Sequence, residues 1–235
     1  MELKDELIDE ISMVFPCDLS RMPLFVKTLS QYQKWGMPKK HEIIVPSRTF
    51  KRLVIPGLKI KVVPYEHNEK VFCPTLALNL GVKATKYKNV LIGHPEVQPM
   101  DRPLHRLFNS ERGNYVCKVY DTAQCGCRTQ QLVGEGCRDE TPGLYFLACY
   151  RKEDIEKING WDMRFMQGSS NEDIDFGQRM VNAGIPFMMR DDIEGEHQWH
   201  KRVSEKIPEY DINRAFYEEN KKNKVTRVEN GLNEV

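Results

Sequence analysis

No stretch of this chain approaches the ~20 consecutive apolar residues of a bilayer-spanning helix, and its opening run Met1-Glu-Leu-Lys-Asp-Glu is too acidic for a secretory signal. The expected compartment is the cytoplasm, that of the host if the chain is viral. An excess of one charge is also lacking. The 35 Lys and Arg face 34 Asp and Glu, a net of +1, so no global field marks the molecule as a binder of polyanions. There is no internal repeat, which excludes solenoids and propellers. The seven cysteines are odd in number in a chain whose opening does not read as a secretory signal, so a complete disulfide framework is not expected and free buried thiols are.

What is present reads as an ordinary globular chain, with 29% charged and 40% hydrophobic residues. Its 235 residues can bury one sizeable core, and a single domain over 1–235 is expected. β-prone runs lie at residues 11–16, 42–46, 58–64 and 89–93. Helical patterns separate them at 22–35, where Leu24, Phe25, Thr28, Leu29 and Tyr32 share a face, and at 74–84. This alternation predicts an α/β fold with a mixed, mostly parallel central sheet, whose ligand crevice lies outside the carboxyl ends of the strands. Further on, a long Gly-, Cys-, Arg- and Gln-rich loop over 109–141 contains one strand at 115–120. Strands at 143–150 and 187–190 and helices at 152–158 and 172–182 follow, then a helix after about residue 205 and a frayed tail.

Three constellations could carry chemistry. In Asn159-Gly-Trp-Asp-Met-Arg-Phe-Met-Gln-Gly-Ser-Ser-Asn-Glu-Asp-Ile-Asp, an exposed Gly160-Trp161 turn precedes acids that open a helix. Ser170 stands where it can cap that helix, and the free N–H groups favour ionised Glu172 and Asp173. An ionised carboxylate can serve as a base, although three acids in a first turn can also do no more than cap it. The second is the helix–strand pair that carries Asn79 and Lys83 and then delivers His94-Pro95-Glu96 to the sheet edge. The third is Glu194-Gly-Glu-His-Gln-Trp-His, whose His197 and His200 face one ion on a helical turn or point apart if the segment is extended. At least one of them is expected to be a ligand.

Taken in this order, the segments resemble GT-A glycosyltransferases, best over residues 142–186, where an Asn-Gly-aromatic-Asp turn leads into a Glu-Asp-x-Asp helix of galactosyltransferase type. The resemblance implies a Rossmann-like GT-A domain with a donor-binding half over about 1–100, an acceptor and catalytic half over about 101–205, and a C-terminal helix and tail over about 206–235. It implies Asp173 as the base, Glu172 orienting the acceptor, and Gly160 and Trp161 at the acceptor site. His94-Pro95-Glu96 stands where most such enzymes carry Asp-x-Asp. Glu96 with His197 and His200 would hold Mn²⁺ or Mg²⁺ against the diphosphate of a nucleotide-sugar donor such as a UDP-sugar. Pro16, Asp18 and Arg21 at the first strand end, Ser47 and Arg48 at the second, and Asn79, Lys83 and His94 complete the implied donor site.

The implied reaction is sugar transfer to an acceptor hydroxyl with inversion. A lone carboxylate suffices when the hydroxyl attacks opposite the leaving group. The acceptor is a glycan or a hydroxymethylated pyrimidine in bacteriophage DNA, which the basic pairs Lys201-Arg202 and Lys221-Lys222 could approach. A sugar nucleotidyltransferase and a non-catalytic nucleotide-sugar-binding module are the alternatives. The missing Gly-rich phosphate loop near the first strand argues against the former, and the altered Asp-x-Asp favours the latter. Structural Zn²⁺ on Cys117, Cys125, Cys127 and Cys137 is a further, weaker expectation.

Overall fold

Phe25, Thr28, Leu29 and Tyr32 recur at helical spacing, and in the computed structural model all four are fully buried on one face of α1 (Met22–Trp35). Pro23 at its first turn and Gly36 at φ 89° just past its end bound that helix. Phe25 and Tyr32 close on Phe15 at ring-centroid distances of 5.3 and 5.8 Å. Burying each such side chain contributes about 1.5–3 kcal/mol. The structure describes residues 10–67, 74–100, 114–133, 145–201 and 208–235.

The strands are β1 (Glu10–Val14), β2 (Lys40–Ser47), β3 (Ile60–Pro64), β4 (Asn89–Gly93), β5 (Val97–Pro99), β6 (Asn114–Thr122), β7 (Arg128–Val133), β8 (Leu147–Arg151) and β9 (Phe187–His197). The other described α-helices are α2 (Thr75–Lys83), α3 (Lys152–Lys157), α4 (Glu172–Asn182) and α5 (Glu209–Lys222). All the described strands join one sheet in the order β3-β2-β1-β4-β8-β6-β9-β5, with β7 hydrogen-bonded to β6. β1, β2, β3 and β4 run parallel, β8 is antiparallel to β4 and β6, and β9 is parallel to β6. Six strands (β1 to β4, β6 and β9) therefore point one way, and β5, β7 and β8 the other.

That topology brings the site's chain segments to one edge. The carboxyl ends of β1, β2, β4, β6 and β9 lie there, and so does the start of antiparallel β8, where the His94 N–H donates to the Phe146 carbonyl. The strand order reverses between β1 and β4, the place where open α/β sheets leave a crevice. β9 reaches the edge because its register with β6 breaks. Cys117 pairs with Arg190 but Lys118 pairs with Glu194, so residues 191–193 bulge out and His197 arrives opposite Asp121.

The structure corrects several expectations. The 109–141 loop contains β7, whose outward residues Arg128 to Gln130 are exposed and polar and so show no apolar alternation. The β8 strand begins at Leu147, and residues 143 and 144 of the expected strand lie outside the described ones. The tail after α5 is docked rather than frayed. Asn159 Nδ2 donates to the carbonyls of Val228 and Glu229, the Leu232 N–H donates back to the Asn159 carbonyl, and Val228 and Leu232 are each 6% exposed. Ser170 does not cap α4. It lies exposed at φ 67°, and Asn171, at φ 65°, holds the N-cap position without a side-chain cap. No described helix is long and apolar enough to cross a membrane.

Candidate metal and catalytic site

Glu96 follows β4 by one turn, and His197 and His200 end β9, so three potential ligands meet at the strand-end edge. Their donor atoms all lie within 4.8 Å of one another. Glu96 Oε1 is 3.7 Å from His197 Nε2, 3.5 Å from His200 Nε2 and 3.8 Å from His94 Nδ1. Burial works against the Glu96 charge, but the three imidazoles gathered around it outweigh that and hold the carboxyl well below the usual range. Asp121 Oδ1 lies 3.0 Å from His197 Nδ1, which fixes the imidazole so that its Nε2 faces Glu96. Glu96 Oε2 and His200 Nε2 are buried without a hydrogen-bond partner among the described residues. One carboxylate, two imidazoles and orphaned donor atoms fit a divalent transition-metal cation better than Mg²⁺, which prefers an all-oxygen shell.

The acids of α4 stand beyond His94. The His94 ring stacks on Phe146 at 4.5 Å and lies 5.5 Å from Tyr145, whose hydroxyl donates to Glu172 Oε1 at 2.7 Å. Burial, reinforced by the neighbouring Asp173 charge, pushes the Glu172 carboxyl up to about 7, against the Tyr145 hydrogen bond. Glu172 Oε2 has no partner. Asp173 is half-buried, and its Oδ1 accepts the Ile174 N–H at 2.8 Å. The third acid, Asp175, turns inward, pairing with Arg179 at 2.7 Å and accepting from Asn220 at 2.7 Å. It belongs to the scaffold.

At the β1 end, Asp18 accepts from Arg48 Nε at 3.2 Å and Nη2 at 2.8 Å, and Arg21 Nε lies 3.9 Å from Glu96 Oε1. Asp18, Arg21, Arg48 and His94 thus share the edge with the metal ligands. Pro16 and Ser47 are at the same strand ends but buried, Ser47 at 1%.

Four expected site residues lie elsewhere. Asn79 is fully buried and spends its amide on the backbone of Trp161, donating to its carbonyl at 2.8 Å and accepting its N–H at 2.9 Å. It holds a turn and cannot reach a donor. Lys83 ends α2, which runs back to the start of β4, so it is exposed at the opposite edge of the sheet. The Gly160-Trp161 turn is interior. Trp161 is 0% exposed and stacks on Phe176 at 4.2 Å with 8° between rings, while Gly160, at φ 66°, leaves no room for a Cβ beside the Asn79 side chain. The zinc expectation also fails. Cys117 is buried in β6, Cys125 and Cys127 are exposed at the tip of the β6–β7 hairpin, and Cys137 lies outside the described residues, as does Arg202 of the expected basic pair.

Asp121, Tyr145 and Trp199 were not singled out from the sequence. Trp199, 47% exposed, lines a cavity of ≈ 420 Å³ with Asp121, Thr122, His197, His200 and Lys201. Its position between the two histidines was a usable signal. Asp121 and Tyr145 become visible only through strand pairing.

No protein-family model and no curated protein matches the chain. Solved structures share its fold. The catalytic domain of Drosophila beta1,4galactosyltransferase 7 in complex with xylobiose is similar with a TM-score of 0.63 and 14% identity, covering 97% of this chain and 84% of that one. S. aureus TarS 1–349 in complex with UDP-GlcNAc is similar with a TM-score of 0.65 and 13% identity, covering 86% of this chain and 64% of that one. The mannosyltransferase PcManGT from Pyrobaculum calidifontis, in complex with GDP-Man and Mn²⁺, is similar with a TM-score of 0.56 and 14% identity over 84% of this chain and 61% of that one. The fold is GT-A.

Proposed function

We propose that this chain is a metal-dependent glycosyltransferase that moves a sugar from a nucleoside-diphosphate sugar, of the UDP-sugar type, to an acceptor hydroxyl with inversion. The observation that carries this reading is the meeting of Glu96, His197 and His200 with His94 and the Glu172–Asp173 pair along one strand-end edge of a GT-A fold. The fold neighbours in complex with UDP-GlcNAc, and with GDP-Man and Mn²⁺, support the donor class and the cation.

In this reading the chain acts as one domain, with the donor held mainly by residues of about 1–100 and the acceptor by those of about 101–205. Glu96, His197 and His200 would hold the divalent cation, which neutralises charge on the departing diphosphate. Asp18 and Arg21 face the nucleotide from the β1 end, with Arg48 keeping the Asp18 carboxylate in place. Glu172 offers Oε2 to the acceptor while Tyr145 fixes Oε1, and Asp173 takes the proton of the attacking hydroxyl. Ser47, by its place at the β2 end, belongs to the donor side.

The acceptor is a glycan or a hydroxymethylated pyrimidine. A mass-spectrometric screen of nucleotide sugars with Mn²⁺ against glycan and hydroxymethylated-DNA acceptors tests this. A product heavier by one sugar unit is expected from one donor–acceptor pair. Nucleotide-sugar binding with neither transfer nor donor hydrolysis would make the chain a non-catalytic module.

A further inference from the structure

The five described cysteines fall into two sets. Cys17, Cys117 and Cys149 are buried, and burial pushes all three thiols up, Cys17 to about 12. Such thiols are inert. Cys125 and Cys127 are exposed and stand together at the tip of the β6–β7 hairpin. The tip is a tight turn. The Ala123 N–H donates to the Cys127 carbonyl at 2.9 Å and the Gly126 N–H to the Ala123 carbonyl at 2.8 Å. Gly126 between the thiols sits at φ 83° with open space around it. The neighbourhood of the two thiols lowers the Cys125 thiol and raises that of Cys127.

We propose that Cys125 and Cys127 form a thiol–disulfide exchange site whose substrates are small disulfides. Residues two apart have Cα atoms no more than about 7 Å from each other, and the backbone bonds that close this turn keep the pair at a spacing near the reach of a disulfide. Cys125 is the attacking thiol. Its thiolate attacks one sulfur of the disulfide, forms a protein–substrate S–S bond and expels one substrate thiolate, which takes up a proton. The Cys127 thiol, two residues on in the same turn, loses its proton and attacks the Cys125 sulfur, and the second substrate thiol leaves. Two protein thiols are oxidised and one substrate disulfide is reduced to two thiols. Nothing around the tip opposes ring closure, because glycine is the residue that must adjust.

The site is independent of the glycosyltransferase reading, and so is its test. The intact native protein is incubated with oxidised glutathione, alkylated and followed by intact mass and peptide mapping. The expected product has lost two hydrogens, with a bond between Cys125 and Cys127, and no longer binds a trivalent phenylarsenical that the reduced protein does bind. Cys127→Ser should accumulate a stable glutathione adduct on Cys125, and Cys125→Ser should react at least tenfold more slowly at Cys127. The proposal is overturned if native protein stops at mixed disulfides without the Cys125–Cys127 bond, if reaction starts at Cys127, or if neither thiol reacts while both are alkylated by iodoacetamide. Thiol counts on the same samples by circular-dichroism-verified folded protein separate these results from unfolding.

Discussion

Glu172 and Asp175 stand three residues apart on α4, and both are buried, at 8% and 1% exposure. Asp175 has a partner for each oxygen, Arg179 on one and Asn220 on the other. Arg179 goes on to the carbonyls of Ile158 and Gly160, and Asn220 to Asp162, so the acid ties α4, α5 and the Asn159–Asp162 turn into one network. Among the described residues Glu172 has one partner, Tyr145, and one orphaned oxygen, and across the site Glu96 Oε2 and His200 Nε2 are orphaned too. The turn region keeps few such atoms, Trp161 Nε1 and one Arg179 nitrogen. Buried polar groups with partners are architecture, and buried ionisable groups left without them at a strand-end edge are held for a ligand.

The sharpest way to break that contrast is to change one acid from each side. Asp173→Asn should lower turnover by ~10²–10⁴, the range of a lost general base, and leave donor affinity where it was without destabilising the fold. Steady-state rates with calorimetric donor titration check this, and wild-type turnover would remove Asp173 from the chemistry. Asp175→Ala should do the reverse. It strands Arg179 at 1% exposure, and breaking a buried pair costs about 3–5 kcal/mol of stability. Urea unfolding measures it. A loss below about 1 kcal/mol would show that the network is not holding the turn.

A third test uses pH. The Glu172 carboxyl is raised in the folded chain, from 4.5 to about 7, so the native state holds a proton that the unfolded state releases in between. Its contribution is fully present below about 4.5 and disappears as pH rises through about 7, a change of roughly 3 kcal/mol. Glu172→Gln should flatten the stability profile across that window and be more stable than wild type at pH 8. An unchanged slope in urea-unfolding series at pH 5, 6, 7 and 8 would mean that Glu172 is ionised throughout.

The same contrast explains what could be read from the sequence. Periodicity placed α1, α2, β4 and α4 closely, because their apolar spacing is strong and their ends carry Gly or Pro. The place of the candidate groups was legible from the fold, since Glu96 follows β4, His200 follows β9 and Asp173 opens α4, and strand ends of one direction share an edge. Trp161 was misread for a physical reason. A Gly-Trp pair in a polar segment looks like a surface turn, and only the Phe176 stack and the docked tail put it inside. Asn79 was misread in the same way, because an amide that caps a distant turn has no local signature. Asp121 was invisible because its partner is 76 residues away and depends on the three-residue bulge in β9.

Asp121 gives the smallest effect and tests where the two kinds of buried polarity meet. It is 9% exposed and holds His197 as a scaffold acid would, yet the imidazole that it holds is one of the proposed ligands. A purely structural acid would, when changed, lower the unfolding midpoint and leave cation binding to the folded fraction alone. A positioning acid raises the basicity of its histidine and fixes which ring nitrogen faces the ion. Asp121→Asn keeps shape and one hydrogen bond but removes the charge, and should weaken Mn²⁺ binding by ~10–100-fold with little change in the metal-free unfolding midpoint. Paramagnetic titration of Mn²⁺ against the folded protein reads the first quantity and thermal unfolding in chelator the second. Unaltered Mn²⁺ affinity with a lowered midpoint would move Asp121 to the side of Asp175.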